Sequence, residues 1–112
     1  GGTQLLCIGG KPGDSVEFEF NQLEDCPYQL VVYATKAPDY GIVSFSVNGQ
    51  DTHIKWDGYD TKVTLSDPIS LGCYSPVRGA LTLKISLSGA NPKAVEEKNL
   101  FGLDAIQLMK KQ

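Results

Sequence analysis

The chain has 112 residues and is poor in the groups that most enzyme chemistry uses. It has one histidine, His53, and no G-x-S-x-G elbow or other nucleophile signature, so nothing in the pattern assembles a Ser-His-Asp site. No apolar run approaches the roughly 20 residues that a membrane-spanning helix needs, and no membrane partner is expected. There is no basic stripe. Ten Lys and Arg against thirteen Asp and Glu give a net charge of -3 and a pI near 5.0, and the cations are scattered apart from Lys110-Lys111. A phosphate-backbone partner, and so nucleic acid, is excluded on that footing. The three cysteines, Cys7, Cys26 and Cys73, lack metal-site spacing and allow at most one disulfide. The reading favoured for them is three small, mostly buried hydrophobes.

No segment carries a sustained helical period, and there is no internal repeat or low-complexity tract. A hydrophobic share of 41% with 21% charged residues is that of an ordinary globular chain, and the length suits one domain with one continuous core, residues 1–112. The chain opens on Gly1-Gly2 with no signal-peptide pattern, as expected of a domain cut from a larger protein whose export signal would lie upstream.

What the chain does have is two-residue alternation, over and over. Val16, Phe18 and Phe20 alternate with Glu17 and Glu19 after the turn Lys11-Pro12-Gly13-Asp14. Tyr28, Leu30, Val32 and Ala34 form one face of the next segment, and Val31 and Tyr33 make its other face only partly polar, which predicts a central strand. Val43, Phe45 and Val47 alternate with Ser44 and Ser46. Asn48-Gly49 then gives the strongest short hairpin signal, and Thr52, Ile54 and Trp56 alternate with His53, Lys55 and Asp57. Short strands are predicted at Val63–Leu65 and Ile69–Leu71. A regular one spans Leu81–Leu87, and a last one runs from about Phe101 to Met109. The stretch from about Gly89 to Leu100 reads as a solvated connection. Short strands at regular spacing predict an all-β antiparallel sandwich or barrel.

The turn Lys11–Asp14, the corner Lys36-Ala37-Pro38-Asp39-Tyr40-Gly41, the Asn-Gly hairpin, Asp57–Asp60 (DGYD), Gly89-Ala90-Asn91-Pro92 and Phe101-Gly102-Leu103-Asp104 follow one another in an order that resembles a known domain. It is similar to the small jelly-roll accessory domain appended to large secreted bacterial glycoside-hydrolase-type proteins. More distantly it resembles carbohydrate-binding modules of the galactose-binding-like and family-six type. The resemblance covers about Gly9 to Leu108. It implies a two-sheet antiparallel jelly roll that is non-catalytic, is secreted or periplasmic, and either binds an oligosaccharide or polysaccharide or packs against a neighbouring catalytic domain. A purely structural or interaction sandwich, supporting a neighbour or an oligomer without binding sugar, is the alternative.

Sugar binding needs an aromatic plate and polar groups that fork to hydroxyls. Trp56, Tyr59 and Tyr74 are the candidate plates; Asp57, Asp60, His53, Lys55 and Arg78 are the candidate forks. WDGYD, residues 56–60, places two aromatics and two carboxylates around one glycine, and is the expected binding loop. Trp56 shares a face with Ile54 by alternation, so a core role competes with ligand contact. Tyr40 is expected to cap the core. Strict alternation sets Asp104 with Ile106 and Leu108 on one face, where a carboxylate must be hydrogen-bonded or metal-bound. A structural anchor is the first reading. In family-six-like modules a terminal-strand Asp joins an N-terminal Glu at a structural Ca²⁺; this chain offers Gln4 there, so calcium is the alternative and no other cofactor is expected.

Overall fold

A computed structural model describes residues 6–8, 15–36, 41–65, 68–90 and 101–111, with the side chains of 6–8, 89, 90, 101 and 104 left aside. The Lys11–Asp14 turn, the 37–40 corner with Tyr40, Gln4 and the 91–100 connection lie outside the described residues.

The strands are β1 (Leu6–Ile8), β2 (Ser15–Phe20), β3 (Tyr28–Lys36), β4 (Gly41–Val47), β5 (Gln50–Asp57), β6 (Thr64–Leu65), β7 (Ile69–Tyr74), β8 (Leu81–Ala90) and β9 (Phe101–Lys110). All pairings are antiparallel. One sheet runs β1-β9-β3, with β6 and β7 both on the far edge of β3; the other runs β2-β8-β4-β5. The chain passes from sheet to sheet between β1 and β2, β2 and β3, and β3 and β4, and β8 and β9 return to lie between the earlier strands. This is the double Greek-key order of a jelly roll, so the sandwich and not the barrel is realised.

Alternation explains the core. Leu30, Val32 and Ala34 of β3, Val43, Phe45 and Val47 of β4, and Leu81, Leu83, Ile85 and Leu87 of β8 all point between the sheets and are buried, Phe45 completely at 0% exposure. Val16, Phe18 and Phe20 of β2 close one side of this cluster and Ile106 and Leu108 of β9 support the other. Burying one such side chain is worth about 1.5–3 kcal/mol.

Among the described residues four irregularities bend the ladders. In β8, Ile42 pairs with Gly89 and Val43 with Leu87, leaving Ser88 as the additional residue, and its hydroxyl donates to the Ile42 carbonyl at 3.1 Å. In β5, Ser44 faces Lys55 and Ser46 faces Asp51, so β5 holds two residues more than β4 between those pairs. His53 takes a positive φ of 61° there, which histidine adopts more readily than branched residues. The Thr52 hydroxyl donates to the Phe45 carbonyl at 2.8 Å and accepts from the Ile54 amide at 3.2 Å, closing the bulge. The predicted alternation holds across the bulge, because two extra residues keep the parity: Thr52, Ile54 and Trp56 are half-buried while His53 and Lys55 are exposed. In β7, Leu30 pairs with Gly72 and Val31 with Ser70; Gly72 has φ 102°, a conformation open to glycine alone at low cost. In β9, Tyr33 pairs with Ala105 and Ala34 with Leu103, leaving Asp104 as the additional residue. Strict alternation through Asp104 does not hold, because Leu103 and Ile106 both serve the inner face across it. Its side chain lies outside those described.

Two tight turns share one end of the sandwich. Asn48-Gly49 takes φ values of 51° and 80°, and Arg78-Gly79 takes 54° and 78° between the paired residues Val77 and Ala80; positive φ at both centres is the type I′ geometry that suits strand twist. Asn48 also ties the end together. Its side-chain carbonyl accepts from the Thr82 amide at 3.0 Å, its backbone amide donates to the Thr82 carbonyl at 2.9 Å, and its side-chain NH₂ reaches the Ser75 carbonyl at 3.5 Å.

Candidate functional site

The chain directions divide the expected site. β5 ends with Asp57 opposite Ile42, whereas Tyr74 and Arg78 lie by the Asn48-Gly49 turn at the other end of β4. The length of β4 and β8 sets about 20 Å between them. Trp56, Asp57, Tyr59 and Asp60 therefore form one group, Tyr74 and Arg78 another, and the six do not make one site.

Within the WDGYD loop the polar groups are turned on their own backbone. The Asp57 carboxylate accepts from the Tyr59 amide at 2.9 Å, and the Gly58 amide donates to the Gly41 carbonyl at 3.0 Å. The Asp60 carboxylate accepts from the Lys62 amide at 3.3 Å and the Thr61 hydroxyl at 3.4 Å. These are the local side-chain bonds by which Asp shapes turns. Trp56 sits opposite Val43 on the inner face, half-buried against the core, and the Lys36 ammonium lies 5.9 Å from its ring centroid, within cation–π range. Trp56 thus packs on the core, one of its two expected roles, with part of the side chain left accessible. Tyr59 is half-buried.

At the opposite end, Tyr74 faces inward beside Gly72. Its hydroxyl donates to the Leu71 carbonyl at 2.6 Å, and burial, with the neighbouring Cys73, raises its pKa. An exposed Tyr74 plate is thus replaced by a half-buried anchor. Arg78 is exposed on its turn. A depression of about 330 Å³ lies nearby, lined by Val47, Gln50, Tyr74, Ser75 and Val77 among others. His53 is exposed, its side chain at 87%, with Nδ1 4.0 Å from an Asp51 carboxylate oxygen. Lys55 is exposed opposite Ser44. Among the described residues no cluster of His, Cys, Asp and Glu could hold a metal ion. Cys73 and Cys26 are free thiols; the exposure of Cys73 corrects the expectation of a buried residue there, Cys26 is half-buried against the core, and the side chain of Cys7 lies outside those described.

The outer faces of the two sheets differ in chemistry. On the four-stranded sheet the register sets Glu17, Lys84, Ser46 and Asp51 in one row and Ser15, Ser86, Ser44 and Lys55 in the next. A shallow depression of about 350 Å³ lies here, lined by Glu17, Ser46, Asn48, Gly49, Thr82 and Lys84. On the five-stranded sheet the rows read Cys73–Gln29–Met109, Ser70–Val31–Gln107, and Tyr33–Ala105. None of these residues is charged. The Gln29 amide donates to the Ser70 hydroxyl at 3.4 Å and the Tyr33 hydroxyl to the Gln107 carbonyl at 3.1 Å. Val31, although on this outer side, is only 5% exposed. Sequence reasoning missed this face. The partly polar second face of β3 was its only signal.

No family model and no curated protein matches the chain. Among solved structures, a xanthan lyase from Paenibacillus matches with a TM-score of 0.75 at 19% identity, over 98% of this chain and 12% of its own. At that identity the likeness is one of fold, and the chain spans a small part of that enzyme's length.

Proposed function

We propose that the chain is a non-catalytic accessory module of a secreted glycan-processing protein, one that contacts carbohydrate without cleaving it. The observation that carries this is the shared fold: nearly all of the chain matches a stretch that makes up 12% of a lyase named for its polysaccharide. The local geometry agrees. The Asp57 and Asp60 carboxylates are used in turns, whereas two-carboxylate glycoside chemistry needs acids facing each other across a cleft, and the lone histidine stands in solvent.

The test is native electrophoresis of the chain in gels cast with xanthan, xylan, hydroxyethylcellulose or galactomannan, with a parallel assay for released reducing or unsaturated ends. Retardation by at least one polymer without product is expected. Free migration in every gel, or turnover of any polymer, overturns the proposal. The module works without a cofactor in this reading, so thermal unfolding in chelator and in added Ca²⁺ should coincide; a rise in Tm with Ca²⁺ would make Asp104 a metal ligand.

A docking role is the second reading, favoured by Val63 and Leu65, which stand 75% and 76% exposed at the β6 edge, an apolar pair of the kind neighbouring domains cover. If that edge drives self-association, Leu65→Ser will return the chain to a monomer in sedimentation.

A further inference from the structure

We propose that the outer face of the five-stranded sheet, centred on Gln29, Tyr33 and Gln107, binds an uncharged oligosaccharide. The inference rests on the glycan reading above and moves the contact surface away from the WDGYD loop.

The charge balance of the face selects the ligand class. Among the described side chains its three rows carry no charge, so a phosphate or carboxylate brought against them would lose water and gain no cation. The groups that remain are amides, hydroxyls and one phenol ring. An amide both donates and accepts, which suits hydroxyl groups that do the same, and the Tyr33 ring offers an apolar surface beside them. The donors are already oriented: Gln29 is held by Ser70 and Tyr33 by Gln107, so little side-chain entropy is lost on binding.

A protein partner fits less well. Protein interfaces put apolar residues at the centre and polar ones at the rim. Here the order is reversed, with Val31 sealed beneath the amides and exposed Met109 at the margin. Three strands at about 4.8 Å spacing over about 17 Å of strand give roughly 250 Å², well short of the ~800 Å² per partner that a stable dimer buries. A narrow, extended ligand matches that footprint.

The experiment is a ¹H–¹⁵N NMR titration of the labelled chain with cellopentaose, maltopentaose and mannopentaose, and with trigalacturonate as the acidic counterpart. With at least one neutral sugar, shifts are expected at the side-chain amides of Gln29 and Gln107 and along residues 29–33 and 105–109. Trigalacturonate should bind at least about tenfold more weakly, and Tyr33→Ala and Gln107→Ala should each weaken the neutral sugar about tenfold, the scale of one lost contact. Gln107 is exposed, so that variant keeps its dispersed spectrum even if Tyr33→Ala does not. Shifts confined to 56–60 or 74–80 overturn this surface and leave the glycan reading standing. Shifts that depend on protein concentration alone make a second copy the occupant and overturn it too. No shift with any neutral sugar also overturns it, and the polymer gels then decide the glycan reading separately.

Discussion

On the outer side of β8, Lys84 stands between Glu17 and Ser46; on the outer side of β3, Val31 stands between Ser70 and Gln107. Both strands are central in their sheets and both send an apolar row into the same core. They part company outside. Lys84 is exposed and Val31 is sealed by its neighbours. The four-stranded sheet carries outer charges on β2, β8 and β5. The three described rows on the outside of the five-stranded sheet carry none, and their polar groups are fastened to one another. The difference shows that burial inside the sandwich is not what separates the two sheets; the use of the outside is.

The hardest blow to this contrast is a charge placed at matched outer positions. Val31→Asp should cost about 3–5 kcal/mol, the range for an unpaired charge in a sealed site, whereas Ser44→Asp, on the outer side of β4 beside Lys55, should stay within about 0.5 kcal/mol. Urea unfolding followed by Trp56 fluorescence reads both. Equal losses would mean that the two faces are alike.

A smaller effect tests the end where the two sheets are joined. Asn48→Ala loses the bond to the Thr82 amide and forces alanine into positive φ, for about 2–3 kcal/mol together. Asn48→Gly keeps the turn conformation and loses only the bonds, about 1 kcal/mol. The gap between the two variants isolates the backbone term, and an Asn48→Gly as damaging as Asn48→Ala would show that the side chain does everything.

The smallest is Tyr74→Phe, which removes the bond to the Leu71 carbonyl for about 1 kcal/mol near neutral pH. Burial raises the Tyr74 pKa above its ordinary 10.0. The folded protein then holds this proton more tightly than the unfolded chain, so stability is intact below pH 10 and falls as pH rises through the folded pKa. Phe cannot ionise, so the variant should lose less stability than the parent on going from pH 9 to pH 11 in thermal melts. A parallel decline in both proteins would place the alkaline loss elsewhere, for instance at Lys110, whose pKa is raised by its hydrogen bond to Glu24.

Much of the fold could be read from the chain because alternation is local. Ser15–Phe20 carries its pattern in six residues, and Asn48-Gly49 announces its own turn. Arg78-Gly79 takes the same turn geometry, but arginine seldom adopts positive φ and gives no signal. The bulges at Gly72 and Asp104 depend on pairing with distant strands, and so strict alternation fails between Leu103 and Ile106. The candidate site divides in two for a related reason. WDGYD and Tyr74 share residue types suited to sugar, but which end of the sandwich each occupies is set by strand direction. The uncharged face is assembled from residues 41 and 74 positions apart, Gln29 with Ser70 and Tyr33 with Gln107, a distance over which no sequence pattern speaks.

The bulge in β5 has a bearing on life in a crowded solution. Among the described residues β5 is the outermost strand of its sheet, and an outermost strand with a regular ladder invites a foreign strand to zip on, the first step of amyloid-type stacking. The two extra residues around His53 interrupt that ladder at mid-strand and leave no straight run of matching donors and acceptors longer than a few residues. A domain built this way can be carried by a long chain, or repeated along one, with little tendency to nucleate fibres.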